Sequence, residues 1–137
     1  MLYKECDSSR GFYQLAYQRY QEKRFEEACC LFQALVLLQP FSLSAWKGFA
    51  GSLKMLKHWK AARECYLQYR SLAPQEDLST LLHLADCVLR LGEQKEGLQW
   101  LQLLLAEALK QKSPSFSAHA QFMIERWTQS RKEGISL

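Results

Sequence analysis

Apolar residues along this chain recur at helical rather than strand spacing, and the recurrence is itself repeated. Phe12, Leu15, Ala16 and Tyr20 fall at i, i+3, i+4 and i+8, which lays one stripe along a helix. A polar stretch, Gln21-Glu22-Lys23-Arg24, follows as a turn. Phe25, Ala28, Leu31, Phe32 and Leu35 then mark a second helix, closed by Pro40, which can neither donate a backbone hydrogen bond nor continue the helix. Sliding the chain by 34 residues pairs Phe12 with Trp46, Leu15 with Phe49, Ala16 with Ala50, Phe25 with Trp59, Ala28 with Ala62, Phe32 with Tyr66 and Pro40 with Pro74. Seven agreements at one period mark a structural repeat.

A third copy is offset by one residue and runs through Leu81, Leu84, Ala85, Val88, Gly92, Gly97, Leu101 and Leu104. Gly92 falls at the turn, where a helix C-terminus favours a residue able to take positive φ. Gly97 stands where Ala28 and Ala62 stand, at the positions where two helix backbones approach closely. Ser113-Pro114 opens a last amphipathic helix with Phe116, Ala120, Met123, Ile124 and Trp127 on one side, as the open end of a stack requires. The pattern predicts an all-α fold of three helix pairs plus a C-terminal capping helix. Residues 1–8 form a short N-terminal segment, the repeats span about 9–42, 43–76 and 78–111, and the closing helix spans about 115–129. Together 9–129 make one domain, with a frayed tail over 130–137. Stacked pairs of this kind curve into a superhelix whose first helices line a concave groove.

Composition narrows the reading. With 48% hydrophobic and 23% charged residues the chain belongs among soluble globular proteins. Only three prolines and six glycines suit long helices and short turns. No stretch approaches the roughly 18 apolar residues of a membrane span, and MLYKECDSSR carries no apolar signal core; a cytoplasmic protein is expected. The net charge of +4 permits an acidic partner without requiring one.

Candidate chemistry is sparse. Five cysteines, Cys6, Cys29, Cys30, Cys65 and Cys87, contain no CxxC pair, so reduced thiols are expected and neither a metal nor a cofactor. His58, His83 and His119 lack spaced partners, and no HExxH, GxSxG or glycine-rich phosphate loop occurs; no catalytic residues and no enzyme activity are expected. Lys54, Lys57, His58, Lys60 and Arg63 surround Trp59, but Trp59 matches a core position of the repeat, which argues for a solvated turn and against nucleic-acid binding.

The large, small, aromatic and proline positions of this period resemble the tetratricopeptide repeat over about residues 9–111. A narrower resemblance is carried by Phe12-Tyr13-Gln14-Leu15-Ala16-Tyr17 with Tyr20, by Phe25-Glu26-Glu27-Ala28 and Phe32-Gln33-Ala34-Leu35, and by Leu84-Ala85-Asp86-Cys87-Val88-Leu89-Arg90-Leu91-Gly92-Glu93. These stretches are similar to the class II chaperones of bacterial type III secretion. That resemblance implies a right-handed superhelix of three repeats with a closing helix. It also implies a cytoplasmic bacterial chaperone whose partner is an extended segment of a secreted translocator or effector protein, kept soluble and export-competent. It leaves a homodimer open, since only about ten residues precede the first repeat where the family usually carries a longer extension. The sequence pI near 8.8 also departs from the acidic habit of the family.

Helical geometry assigns groove positions. In the first repeat they are Tyr13, Tyr17 and Tyr20, with Gln14 and Gln21 beside them; in the second, Lys47, Gly48, Gly51, Lys54 and Met55; in the third, Leu82, His83, Asp86, Leu89 and Arg90. Phe12, Leu15 and Ala16 are placed on the core side, leaving the tyrosines as a second, partly exposed row able to grip client side chains. Gly48 and Gly51 are read as room for a peptide backbone, since glycine in a helix costs on the order of 1 kcal/mol. The alternative is that the tyrosines pad the packing and the glycines ease helix contact. The resemblance adds Phe25, Ala34 and Leu38 to the client-binding set. A carboxylate clamp for acidic chaperone tails is missing, because Tyr13, Tyr17 and Gly48 occupy its positions. The competing function is a non-enzymatic tetratricopeptide scaffold joining components of a secretion apparatus or another complex.

Overall fold

Every element formed by the described residues is helical. The computed structural model describes residues 2–132, with side chains from Arg10 to Gln129. Its helices are α1 (Leu2–Gln21), α2 (Phe25–Leu38), α3 (Leu43–Met55), α4 (Trp59–Leu72), α5 (Leu78–Arg90), α6 (Gln94–Lys110) and α7 (Pro114–Lys132). The all-α expectation of three pairs and a closing helix holds. Helix α1 runs back through most of the segment set apart as 1–8, and α7 continues to Lys132. The rest of the tail, expected to be frayed, lies outside the described residues.

The turns explain why the helices pair. At Lys23, Lys57, Gly92 and Lys112 the backbone takes positive φ, at 62°, 63°, 85° and 57°. Each such residue donates its N–H three residues back, and the next residue donates five back: Arg24 to Arg19 at 2.9 Å, His58 to Leu53 at 2.9 Å, Glu93 to Val88 at 3.1 Å and Ser113 to Ala108 at 2.8 Å. This double bond pattern closes a helix C-terminus and satisfies its last carbonyls. Gly92 takes the left-handed region as its sequence position predicted. Three lysines hold the same conformation at a steric cost of roughly 1–2 kcal/mol each. Elsewhere, Ser42 caps α3 by accepting from the Ala45 N–H at 3.3 Å, and the Trp46 indole donates to the Pro40 carbonyl at 2.7 Å, tying α3 to the turn before it.

The chain divides after Leu72 into two compact units. In the first, Ala16, Ala28, Phe32, Leu35, Val36 and Ala45 are buried, with Tyr13, Tyr20, Leu31, Trp46 and Phe49 packed against them. The alanines at the repeat's small positions are fully buried, as close helix approach demands. In the second unit, Leu78, Leu81, Ala85, Leu89, Leu101, Leu104, Ala108 and Ala120 form the core. Phe116, Met123, Ile124 and Trp127 of α7 seal it, the inner side predicted for the closing helix.

One packing expectation is corrected. Phe12 and Leu15 are not core residues; they are 40% and 37% exposed. Their equivalents in the second repeat, Trp46 and Phe49, pack onto the core of the first. No helix pair stands before α1 among the described residues, so Phe12 and Leu15 have no such surface to cover.

Candidate functional site: an aromatic face on α1 and α3

The face grows from a single ring. Phe32 on α2 is fully buried and lies against Gly48 of α3 so closely that a Cβ there would overlap the ring. Gly48 therefore does not leave room for a peptide backbone, as its composition suggested; the space is filled by Phe32. Against that ring stand two tyrosines of α1, both edge-on, Tyr13 at 5.9 Å and Tyr17 at 5.6 Å between centroids. The two tyrosines are 4.9 Å apart at a 54° tilt. Edge-to-face contacts of this kind stabilise by about 0.5–1.5 kcal/mol each beyond the area they bury.

Hydroxyls complete the link to α3. The Tyr13 hydroxyl is hydrogen-bonded to those of Ser44 and Tyr17. Burial is the main cause that pushes the Tyr13 phenol up from 10.0 to about 12, with the Tyr17 hydrogen bond and charge adding to it and Ser44 opposing. Burial also raises Tyr20, followed by the effect of Tyr17. One turn farther, Tyr20 packs edge-on to Phe25 at 5.2 Å, and a Cβ on Gly51 would meet the Tyr20 hydroxyl at 3.6 Å. That is ordinary contact, so Gly51 is a close neighbour without being a steric necessity. At neutral pH Tyr13 and Tyr20 are uncharged donors and acceptors with apolar ring faces. Tyr17 is the most open, 42% exposed; Tyr13 and Tyr20 are half-buried.

Of the positions predicted for the groove, Tyr13, Tyr17, Tyr20, Phe25 and Gly51 are thus brought together in the first unit. Lys47 and Lys54 lie on the same turns of α3 as Ser44 and Gly51, and the Lys47 ammonium sits 5.5 Å from the Tyr69 ring centroid. Met55 is exposed at the end of α3 and Leu38 at the end of α2, while Ala34 is half-buried on α2. Leu82, His83 and Asp86 are half-buried on α5 in the second unit. There Leu82 packs against that unit's core, and Leu89 is not a groove residue but buried within it, against Gly97; Asp86 pairs with the exposed Arg90 at 3.5 Å. Sequence reasoning missed Phe32 as the platform of the tyrosines and Ser44 as their anchor. Ser44 was findable, since it precedes Lys47 by three and Gly51 by seven on one helix face.

Among the described residues no cluster of His, Cys, Asp or Glu could hold a metal, and no helix is long and apolar enough to cross a membrane.

The helix pairs and this face define a tetratricopeptide-like protein with an open aromatic surface on its first helices. Its structural neighbours are the translocator chaperones of type III secretion, so the likeness read from the sequence holds in three dimensions. The type III secretion translocator chaperone SycD of Yersinia enterocolitica superposes with a TM-score of 0.83 at 23% identity, covering 93% of this chain and 88% of that one. SycD in complex with a peptide of the translocator YopD superposes at 0.80 with 25% identity, covering 91% and 95%. In sequence, the low calcium response locus protein H of Yersinia pseudotuberculosis serotype I is 27% identical over 110 residues. That match takes in 80% of this chain but 64% of the relative's length. No protein-family model matches the chain.

Proposed function

We propose that this chain is a non-enzymatic bacterial chaperone of type III secretion. In the cytoplasm it holds an extended segment of a secreted translocator or effector protein and keeps that client soluble and export-competent. The single observation carrying the reading is the tyrosine row of α1, propped on Phe32 and left open beside α3. A related chaperone of the same fold binds a translocator peptide, which supports the choice of client class.

The mechanism follows from the side chains. An extended segment lying along the α1–α3 face sets apolar groups on the ring faces of Tyr13, Tyr17 and Tyr20. Rings already packed on Phe32, for Tyr13 and Tyr17, and on Phe25, for Tyr20, lose little conformational freedom on binding. Covering the client's apolar stretch masks surface that would otherwise aggregate or insert into membrane. Gly51, Lys47, Lys54 and Met55 border the segment on α3, and Phe25, Ala34 and Leu38 contribute from α2. The exposed Phe12 and Leu15 edge offers apolar surface to a second copy, so a homodimer is the further partner.

The test is capture from the native host with mass spectrometry of what is retained. The wild-type chain should retain a type III translocator or effector. A Tyr13→Ala/Tyr17→Ala variant should lose that client while its circular dichroism keeps the helical signal. Unchanged capture by the variant would remove the tyrosine face from the site.

A further inference from the structure

The three repeats turn between their helices through the same left-handed corner, at Lys23, Lys57 and Gly92, and differ in the charge around it. At the first corner Lys23 and Arg24 stand with Glu22, Glu26 and Glu27; at the third, Lys95 stands with Glu93 and Glu96. The equivalent positions of the second corner are Leu56, Lys57, His58, Trp59, Lys60 and Ala61, which hold two lysines and no acid. The gap extends beyond the corner, since no aspartate or glutamate occurs from residue 28 to residue 63.

At the first corner the cations are answered within the fold: Arg24 meets Glu27 at 2.7 Å and Glu22 at 3.7 Å. At the second, Lys57, His58 and Lys60 are exposed, and among the described residues no ion pair reaches Lys57 or Lys60. Glu64 lies one turn beyond Lys60 on α4, but its carboxylate pairs with Arg63 at 3.2 Å. Lys60 precedes the fully buried Ala62 by two residues, which sets it about 200° around the helix, towards solvent. Helix stability does not account for Lys60 either. A cation in a first turn opposes the helix dipole, and α2 and α6 carry acids there where α4 carries none. A residue that breaks a local rule with no structural return marks a position kept for function.

We propose that the corner between α3 and α4 is a second docking surface, and that it takes a short acidic segment of another protein. Aspartate or glutamate side chains of that segment meet Lys57 and Lys60, and a basic segment is repelled. The surface is separate from the tyrosine row, because Lys57 stands in the turn and Lys60 on α4, so it does not depend on the client reading. Two lysines on one turn match two or three carboxylates. A nucleic-acid strand is held instead by a longer track of cations with open aromatic rings for its bases, and Trp59 at this corner is half-buried.

A labelled peptide of alternating aspartate and serine, titrated with the full chain at low ionic strength, tests the proposal by fluorescence polarisation. A Lys57→Glu/Lys60→Glu variant should bind it about tenfold more weakly than the wild type. A Lys95→Glu/Lys112→Glu variant makes the same change in net charge at exposed sites of the second unit and should bind within about twofold of the wild type. Circular dichroism should show the same helical signal in all three, as expected for substitutions at exposed positions. The Tyr13→Ala/Tyr17→Ala variant should keep wild-type affinity for this peptide. Equal losses in the two charge variants would reduce the effect to net charge, and a loss in the tyrosine variant would move the peptide to the other face; either overturns the proposal. So does a peptide that fails to bind the wild type, or a single-stranded RNA of equal charge that binds more tightly than the peptide.

Discussion

Helices α1 and α5 are equivalents by sequence period, yet they are used in opposite ways. On α5, Leu78, Thr80, Leu81, Leu84, Ala85, Cys87, Val88 and Leu89 are all buried. On α1, Ala16 alone is buried among the described side chains, and three tyrosines stand partly open. A helix that buries so much of its surface has little left to offer a partner. One that keeps aromatic area in reach of solvent can bind, provided something else holds its rings in place. In the first unit that support is Phe32, seated against Gly48.

The contrast can be attacked where its effect is largest. In the second unit Leu101 is fully buried in the core, so Leu101→Ala should destabilise by about 2–5 kcal/mol, measured by urea unfolding. A loss well under 1 kcal/mol would mean that this core is loosely packed and the contrast with α1 is overstated.

A smaller effect probes the support of the tyrosines. Gly48→Ala drives a methyl into the Phe32 ring and should destabilise by about 1–3 kcal/mol. Gly51→Ala meets only ordinary contact and should instead stabilise by up to about 1 kcal/mol through helix propensity. Two glycines three residues apart would then give opposite signs. Thermal melts showing the same sign for both would refute the assigned packing.

Smallest is the alkaline response. Burial, then the charges of Cys29 and Glu64, raise the Cys65 thiol from 9.0 to about 12, and Tyr13 rises from 10.0 to about 12. Each group is favoured in its neutral form when folded. The stability it contributes is therefore complete below its unfolded pKa and is lost as pH climbs through the folded value. Urea midpoints should hold to about pH 9 and decline towards pH 12, and Cys65→Ala with Tyr13→Phe should flatten the decline. An unchanged slope in that variant would place the titrating groups elsewhere, and both groups lie in the first unit.

Much of this architecture was legible before any coordinates, for a physical reason. Helix pairs impose a fixed count between positions that touch, so Ala16, Ala28, Ala50 and Ala62 announced close backbone approaches, and all four are fully buried. Gly92 announced its left-handed turn. The orientation of α1 was less legible. Two apolar stripes overlap on it, one through Phe12 and Leu15 and one through Tyr13, Tyr17 and Tyr20, and both border Ala16. Periodicity gives the spacing of a stripe but not the neighbour it faces. That choice was made by Phe32, whose ring needs the gap at Gly48 and which offers its surface to the tyrosines. Gly48 shows the same limit, because glycine signals a close approach without naming what approaches.

The left-handed residues at Lys23, Lys57, Gly92 and Lys112 carry one more consequence. Each hairpin is closed by bonds that reach back three and five residues, so its bend is fixed in residue number as well as in direction. Substitution at these corners changes energy by small amounts. Inserting or deleting a residue would instead rotate the following helix by about 100°, turning its inward side chains away. The design tolerates drift in spelling far better than a change in metre.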